Sequence, residues 1–303
     1  MRRRMQSSTT PKLSMKDRIT EPEAIALLEQ MRREPIVTSL CSEAIATNTV
    51  QLGTGDPPIL LLHGFDSSLL EFRRLMPLLA AHFNTWAIDL WGFGFTQRRP
   101  DLDVHTTALR THLHYAWKTL IGQPVVLVGV SMGGAAAIDF ALSYPDAVRR
   151  LVLIDSAGYR SGPAFAKLLP MAIARQGARF LARPTVRQNV MRRAFYKSQL
   201  ATDSAYACGA LHLAEPHWET ALAQFTRSGG YGSFRSQLST LRPPTLILWG
   251  DTDRILGTRD ALELARRIPH SQLVWIPQCG HLPHLEQPQA IAAAIYQFCQ
   301  PRA

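Results

Sequence analysis

The sequence predicts an α/β protein built on a mostly parallel sheet, with helices on both faces and an inserted helical cap. Six short apolar runs are separated by stretches with helix-like patterns, and strands that alternate with helices form parallel sheets covered on both faces. The alternation stops once, between residues 155 and 245, in a long basic stretch rich in helix formers. A chain of 303 residues, 46% of them hydrophobic, is long enough to build such a domain.

Residues 1–40 are expected to form a basic tail followed by one amphipathic helix. No acidic residue precedes Asp17, and the segment lacks the apolar stretch of a secretory signal, so we predict that the protein is not secreted. A transit peptide is the alternative interpretation of the tail. The sequence TEPE at 20–23 has the pattern of a capping box, which predicts a helix from there through Arg33.

The apolar runs divide the rest of the chain into a sheet domain and an insertion. The predicted strands are 57–63, 85–90, 125–129, 151–155, 245–250 and 272–277. Their positions assign 41–157 and 237–303 to the sheet core and 158–236 to a helical cap. Four prolines are expected to interrupt the helices of the cap: Pro163, Pro170, Pro184 and Pro216.

Residues 120–138 carry no charge and are long enough to cross a bilayer. Their chemistry nevertheless changes midway. Val125–Val128 is rich in β-branched residues, as in a strand buried on both faces, whereas Gly133–Ala137 is small enough for a closely packed helix. This change favours a strand and a helix joined at Ser131. The membrane span is excluded only by the family resemblance given below, which implies a strand, an elbow and a helix at these residues.

The turn at Ser131 has the sequence Gly-Val-Ser-Met-Gly, which fits the G-x-S-x-G pattern of a nucleophile elbow. Such a turn holds the serine in a strained backbone conformation, and glycines two residues to either side leave room for it. The turn raises the hydroxyl at the carboxyl end of the sheet and at a helix N-terminus, where negative charge is favoured. Ser131 is therefore the candidate nucleophile.

A serine nucleophile needs a base, and the base needs an acid that orients it. The order expected after this elbow is Ser, then Asp or Glu, then His. Asp253 follows the strand 245–250 and is the preferred acid, with Asp251 and Asp155 as rivals. His281 follows the last strand on a glycine-flanked loop and is the preferred base. His284 lacks that setting, and Glu286 is expected to anchor the loop.

The oxyanion hole is expected where the strand 57–63 ends in His63-Gly64-Phe65. The backbone N–H groups of Phe65 and Met132 are predicted to stabilise the developing oxyanion, and such donors contribute roughly 3–4 kcal/mol each. His63 is expected to be structural. This chemistry requires no metal and no organic cofactor.

Together these motifs resemble the α/β-hydrolase superfamily over about residues 45–303. The resemblance rests on HGF at 63–65, DLWGFG at 89–94, GVSMGG at 129–134, GDTD at 250–253 and GHLPHLEQP at 280–288. Among serine hydrolases of this fold, LLHGFDSSLLEF, RSGGYGSF at 227–234 and CGHLPHLEQP resemble the chlorophyll dephytylases. That resemblance implies hydrolysis of the phytyl ester of chlorophyll, to chlorophyllide and phytol.

One departure from the dephytylases keeps other activities open. Met132-Gly133-Gly134 stands where that group more often has Leu-Gly-Ala, and Ser-Met-Gly-Gly also resembles the carbon–carbon bond hydrolases of aromatic degradation. The alternatives are a general carboxylesterase or lipase, a carbon–carbon bond hydrolase, and a receptor that binds a ligand without turnover.

The net charge of +10 is concentrated in the insertion, because residues 156–202 contain nine basic residues and no acidic one. Arg175, Arg179, Arg183 and Arg187 fall at helical spacing, although Pro184 must kink or end a helix there. A basic amphipathic segment of this kind is able to lie on an anionic membrane. The expected location is cytoplasmic or peripheral to a membrane, the thylakoid on the dephytylase resemblance. No nucleic-acid-binding module is recognisable.

Overall fold

The computed structural model describes residues 14–162 and 164–300, and its centre is one eight-stranded sheet. The strands are β1 (Arg32–Ile36), β2 (Ile45–Leu52), β3 (Ile59–Leu62), β4 (Thr85–Ile88), β5 (Val125–Val130), β6 (Val148–Ile154), β7 (Thr245–Gly250) and β8 (Ser271–Ile276). Their order in the sheet is β1-β2-β4-β3-β5-β6-β7-β8. The strands β3 to β8 pair in parallel and correspond to the six predicted runs, which confirms the predicted fold class.

Two antiparallel strands at one edge, β1 and β2, have no counterpart in the prediction. The helix predicted through Arg33 ends at Gln30, because Met31 turns to extended backbone and Arg33 pairs with Asn48 of β2. The capping box is also wrong. The helix has Glu21 as its N-cap without a side-chain cap, and the Glu21 carboxylate instead binds two arginines. Residues 1–13 of the predicted tail lie outside the described residues.

The α-helices are α1 (Pro22–Gln30), α2 (Met76–Ala80), α3 (Thr106–Leu120), α4 (Met132–Ser143), α5 (Met171–Ala182), α6 (Pro184–Ala194), α7 (Asp203–Ala210), α8 (Trp218–Ser228), α9 (Arg259–Arg267), α10 (Pro283–Glu286) and α11 (Pro288–Cys299). One face of the sheet packs against α3, α4 and α9, and the other against α1, α2 and α11. Along β5, Val125 and Leu127 join the first apolar core, whereas Val126 and Val128 join the second. Burial on both faces explains the continuous apolar runs.

Between β6 and β7 the chain forms α5 to α8, and we call residues 158–236 the cap. The helix α5 packs along α8, and α6 contacts α7. Pro184 occupies the first position of α6, so the helical spacing of arginines is divided between two helices. No helix within 14–162 and 164–300 combines the length and the apolar character needed to cross a bilayer.

The sheet places six loops at one edge, because the carboxyl ends of parallel strands point the same way. These loops follow the strands β3 to β8, and they begin at His63, Asp89, Ser131, Asp155, Asp251 and Pro277. In open α/β sheets this edge is where ligands bind. Every candidate catalytic side chain from the sequence lies on one of these loops.

Candidate active site

Ser131 occupies a sharp turn between β5 and α4. Its backbone has φ 52° and ψ −117°, a strained conformation for a residue with a side chain. The turn is tight on both sides: a Cβ on Gly129 would lie 2.2 Å from the Gly133 carbonyl oxygen, and one on Gly133 would lie 2.1 Å from the Leu62 oxygen. The two glycines of the motif are thus required by close packing of backbone on backbone.

His281 and Asp253 form a buried pair at the ends of the last two strands. The His281 Nδ1 lies 2.9 Å from the Asp253 Oδ2. The other carboxylate oxygen accepts hydrogen bonds from the N–H groups of Ile255 and Leu256. Burial alone would raise the pKa of Asp253, but the hydrogen bond and charge of His281, together with these two donors, lower it below its usual value. Asp253 is therefore ionised and oriented toward the imidazole.

The two rival carboxylates occupy different positions. Asp251 accepts hydrogen bonds from the Thr252 hydroxyl and the Cys279 N–H, so it stabilises the turn. Asp155 is completely buried, and a ligand atom of its carboxyl lies within 4.8 Å of those of Asp253 and His281. Burial and the charge of Asp253 raise the pKa of Asp155 well above its usual value.

The difference between the two buried aspartates gives a testable prediction. Asp253→Asn is expected to lower kcat by roughly 10³–10⁴-fold, because an amide cannot hold the imidazole in its productive tautomer. Asp155→Asn is expected to lower kcat by less than about tenfold, since an amide resembles the neutral carboxyl in shape and polarity. Steady-state hydrolysis of a nitrophenyl ester by the two matched variants makes the comparison. Equal losses would contradict the assignment of Asp253 as the acid.

The loop after β3 presents backbone donors beside the Ser131 turn. No described residue accepts a hydrogen bond from the N–H of Phe65 or of Met132, so both remain available. The adjacent Gly64 N–H donates to the Glu71 carboxylate at 3.0 Å. Burial alone would raise the pKa of Glu71, but His284 and Ser67 lower it to about 2. This buried, ionised carboxylate therefore fixes the position of the loop after β3.

His63 fixes the same loop through both ring nitrogens. The Leu90 N–H donates to Nε2 at 3.1 Å, so the proton resides on Nδ1, which lies 2.8 Å from the Gly64 carbonyl oxygen. The ring is fully buried. Both nitrogens are used by the backbone, in agreement with the structural role expected for His63.

A cavity of about 310 Å³ opens between these loops and the cap, and its wall is mostly apolar. Ser131, His281, Gly64 and Phe65 are among the residues that line it. The apolar part of the wall includes Leu181, Val186, Val190, Met191, Ile255 and Leu285. The structure thus brings the predicted nucleophile, base and oxyanion loop to one apolar cavity beneath α6.

A buried ion pair that the sequence did not reveal attaches the cap to the loop after β3. Asp66, which follows Phe65, accepts hydrogen bonds from Arg187 of α6 and from the Trp218 indole at 2.8 Å. Its carboxylate also lies 3.2 Å from the His212 Nε2. Burial alone would raise the pKa of Asp66, but these partners lower it to about 2. The sequence HGFD at 63–66 shows that a carboxylate follows Phe65, but it does not show which residues pair with that carboxylate.

Glu286 is a second link between the cap and the catalytic loops. Its carboxylate accepts hydrogen bonds from the N–H of Gly280, beside His281, and from those of Tyr196 and Lys197, just after α6. The His281 N–H itself donates to the Ala194 carbonyl at 2.7 Å. As expected, Glu286 anchors the histidine loop, and it anchors the end of α6 as well.

The SGGY segment of the cap lies away from the cavity. Gly229 ends α8 in the left-handed conformation, and the Tyr231 ring contacts Phe225 and Phe234. None of these residues lines the cavity described above. In this structure the segment therefore packs within the cap and does not line the cavity.

Comparison with known proteins agrees with this geometry. Residues 57–288 match the family model of the α/β hydrolase fold. The α/β hydrolase domain-containing protein VTE7 of Arabidopsis thaliana is 36% identical, over 92% of this chain and 87% of that protein. The 2-hydroxy-6-oxo-2,4-heptadienoate hydrolase of Pseudomonas putida is 30% identical, over 84% of this chain and 92% of that protein.

A solved structure agrees with the same assignment. A thermophilic esterase from Thermogutta terrifontis superposes with a TM-score of 0.74 at 28% identity, covering 88% of this chain and 97% of that one. By sequence and by fold, this chain belongs to the α/β-hydrolase fold family and is a hydrolase of that fold.

Proposed function

We propose that the protein is a serine hydrolase of carboxylic esters that removes phytol from chlorophyll to give chlorophyllide. The observation that carries the proposal is the convergence of Ser131, His281 and the Phe65 loop on one apolar cavity. The closer resemblance to the chlorophyll dephytylases supplies the phytyl ester as the substrate.

In this mechanism His281 takes the proton of Ser131 as the hydroxyl oxygen attacks the ester carbonyl carbon. Asp253 holds the Nδ1 of the ring, which leaves Nε2 for the serine, and stabilises the imidazolium that forms. The N–H groups of Phe65 and Met132 donate to the oxyanion. His281 then protonates the departing alcohol, and in the second half it activates the water that releases the acid.

The charges around the cavity favour an ester over an acidic substrate. Arg73 and Arg187 are the arginines that line the cavity, and each is paired with a carboxylate, of Glu21 and Asp66 respectively. A substrate carboxylate would have to displace one of these buried partners. The wall that remains is mostly apolar and suits an alkyl chain.

The cavity volume bears on how a phytyl ester would lie. About 310 Å³ is at the small end of ligand sites, too small for a tetrapyrrole and its phytyl chain together. We infer that the alkyl chain enters beneath α6 and the ring stays at the mouth, against the half-exposed Phe65.

A carbon–carbon bond hydrolase is the second candidate, because of the 30% identity to a heptadienoate hydrolase. The test is to offer the purified full-length protein chlorophyll a, a short-chain nitrophenyl ester and a 2-hydroxy-6-oxo-dienoate, and to separate the products by chromatography. We expect chlorophyllide and nitrophenol, with no cleavage of the dienoate. Cleavage of the dienoate alone would overturn the proposal. Binding without any turnover would favour a receptor.

A further inference from the structure

The helix α5 exposes its large apolar side chains and buries its small ones. Ile173, Phe180 and Leu181 are exposed at positions i, i+7 and i+8, which form one face of a helix. Ala174 and Ala178, on the neighbouring face, are buried where α5 packs along α8. The apolar surface of α5 is therefore directed away from the protein core.

The turn that precedes α5 adds two more exposed apolar side chains to the cap. Leu168 is 84% exposed and Phe165 is 64% exposed, values far above those of buried core residues. We call Phe165, Leu168, Ile173, Phe180 and Leu181 the outer cap face. Leu181 also lines the active-site cavity, so the outer cap face is continuous with the cavity. The exposed Val190 and Ile255 extend the apolar rim on the other side.

Several basic residues of the cap are paired with carboxylates and are therefore not available to bind a ligand. Four of the nine basic residues of 156–202 are paired with carboxylates: Arg160 with Asp260, Arg175 and Arg179 with Glu219, and Arg187 with Asp66. Arg187 is largely buried, so it does not contribute to a membrane-facing surface. The remaining cations are Lys167, Arg183, Arg192, Arg193 and Lys197, which are exposed and have no carboxylate partner among the described residues.

We propose that the outer cap face docks on the surface of an anionic lipid bilayer, with the mouth of the cavity toward the lipid. Exposed apolar side chains on one helix face insert at the headgroup boundary, and cations around them are attracted to anionic lipids. A second copy of the chain is a poorer occupant, because two basic faces would repel each other. This inference extends the proposed function, since it places the enzyme where a membrane ester is found.

The test is sedimentation with vesicles of phosphatidylcholine and phosphatidylglycerol, and with vesicles of phosphatidylcholine alone. It uses full-length Ser131→Ala protein, so that binding is measured without hydrolysis. We expect binding to the anionic vesicles that weakens at high salt. The triple variant Leu168→Ser, Ile173→Ser, Phe180→Ser is expected to bind at least about tenfold more weakly.

The matched control is Val37→Ser with Leu262→Ser, which removes exposed apolar side chains outside the cap and is expected to bind as the parent does. The same triple substitution in the active enzyme is expected to leave hydrolysis of a soluble nitrophenyl ester unchanged. No vesicle binding by the parent, or equal binding by the triple variant, would overturn the proposal. So would a dimer in gel filtration that the triple substitution dissociates, since the occupant would then be a second copy. If the wild-type protein does not hydrolyse chlorophyll while the vesicles are bound as expected, only the proposed function is refuted.

Discussion

Ser131→Ala is expected to lower kcat for ester hydrolysis by roughly 10⁶-fold, the scale on which serine hydrolases depend on their nucleophile. Alanine leaves His281 without a hydroxyl to deprotonate and the ester carbonyl without a nucleophile. The fold should persist, because alanine carries the same Cβ in the same strained turn at φ 52°. The measurement is kcat on a short-chain nitrophenyl ester, with circular dichroism to confirm folding.

Ser156→Ala is the matched control for that experiment. Ser156 is a buried serine near the same turn, whose hydroxyl donates to the Ala157 carbonyl and does not line the cavity. We expect it to retain activity within about tenfold, since one neutral hydrogen bond contributes about 1 kcal/mol. If Ser131→Ala retained activity comparable to that of Ser156→Ala, the nucleophile would have to be sought elsewhere.

Asp66→Ala is expected to lower the free energy of unfolding by about 3–5 kcal/mol. The substitution leaves the largely buried Arg187 guanidinium without its carboxylate partner, and it removes the acceptor of the Trp218 indole. An uncompensated buried charge is more costly than a lost surface contact. Because Asp66 follows Phe65, we also expect a loss of activity. Denaturant unfolding monitored by tryptophan fluorescence measures the stability term.

Asp101→Ala is the control, because the Asp101 side chain is exposed and its partner Arg99 keeps a second carboxylate, that of Glu43. This substitution should cost less than about 1 kcal/mol. Adding Arg187→Met to Asp66→Ala should recover part of the stability, since the unpaired charge is then absent. Equal losses from Asp66→Ala and Asp101→Ala, or no recovery in the double variant, would contradict the buried ion pair.

Low pH should destabilise the folded protein, because it protonates the buried carboxylates of Asp66 and Glu71. The pKa values of Asp66 and Glu71 are about 2 in the folded protein, below their ordinary values of 3.8 and 4.5. A carboxyl whose pKa is lowered by folding contributes stability above its ordinary pKa, and that stability is lost as pH falls toward the folded-state value. Unfolding curves between pH 5 and pH 2 should therefore show progressive destabilisation, and Asp66→Ala should show less of it.

The sheet and the placement of the site could be predicted from the sequence because both depend on local patterns. A strand buried on both faces appears in the sequence as a continuous apolar run. The elbow at Ser131 is recognisable because its tight turn requires a glycine two residues to either side. The edge strands β1 and β2 could not be predicted in the same way. β1 contains Arg32, Arg33 and Glu34, and its strand conformation depends on pairing with a distant segment.

The attachment of the cap was beyond prediction for a related reason. Arg187 resembled a membrane-facing arginine because it falls four residues after Arg183, but its partner Asp66 is 121 residues earlier. Asp155 and Glu71 likewise acquire their roles only when distant loops converge. The burial of a helix or strand leaves a periodic pattern of apolar residues in the sequence. Pairing between charges that are distant in the sequence leaves no such pattern.

The measurement that tests the central claim most directly is covalent trapping with a fluorophosphonate, read by intact mass and by peptide mapping. This reagent phosphonylates a serine only when a neighbouring base activates it. We expect one adduct for each wild-type chain, located on Ser131, with labelling much slower in His281→Ala. An adduct on a different residue, or no adduct on a protein that still hydrolyses esters, would contradict a mechanism centred on Ser131.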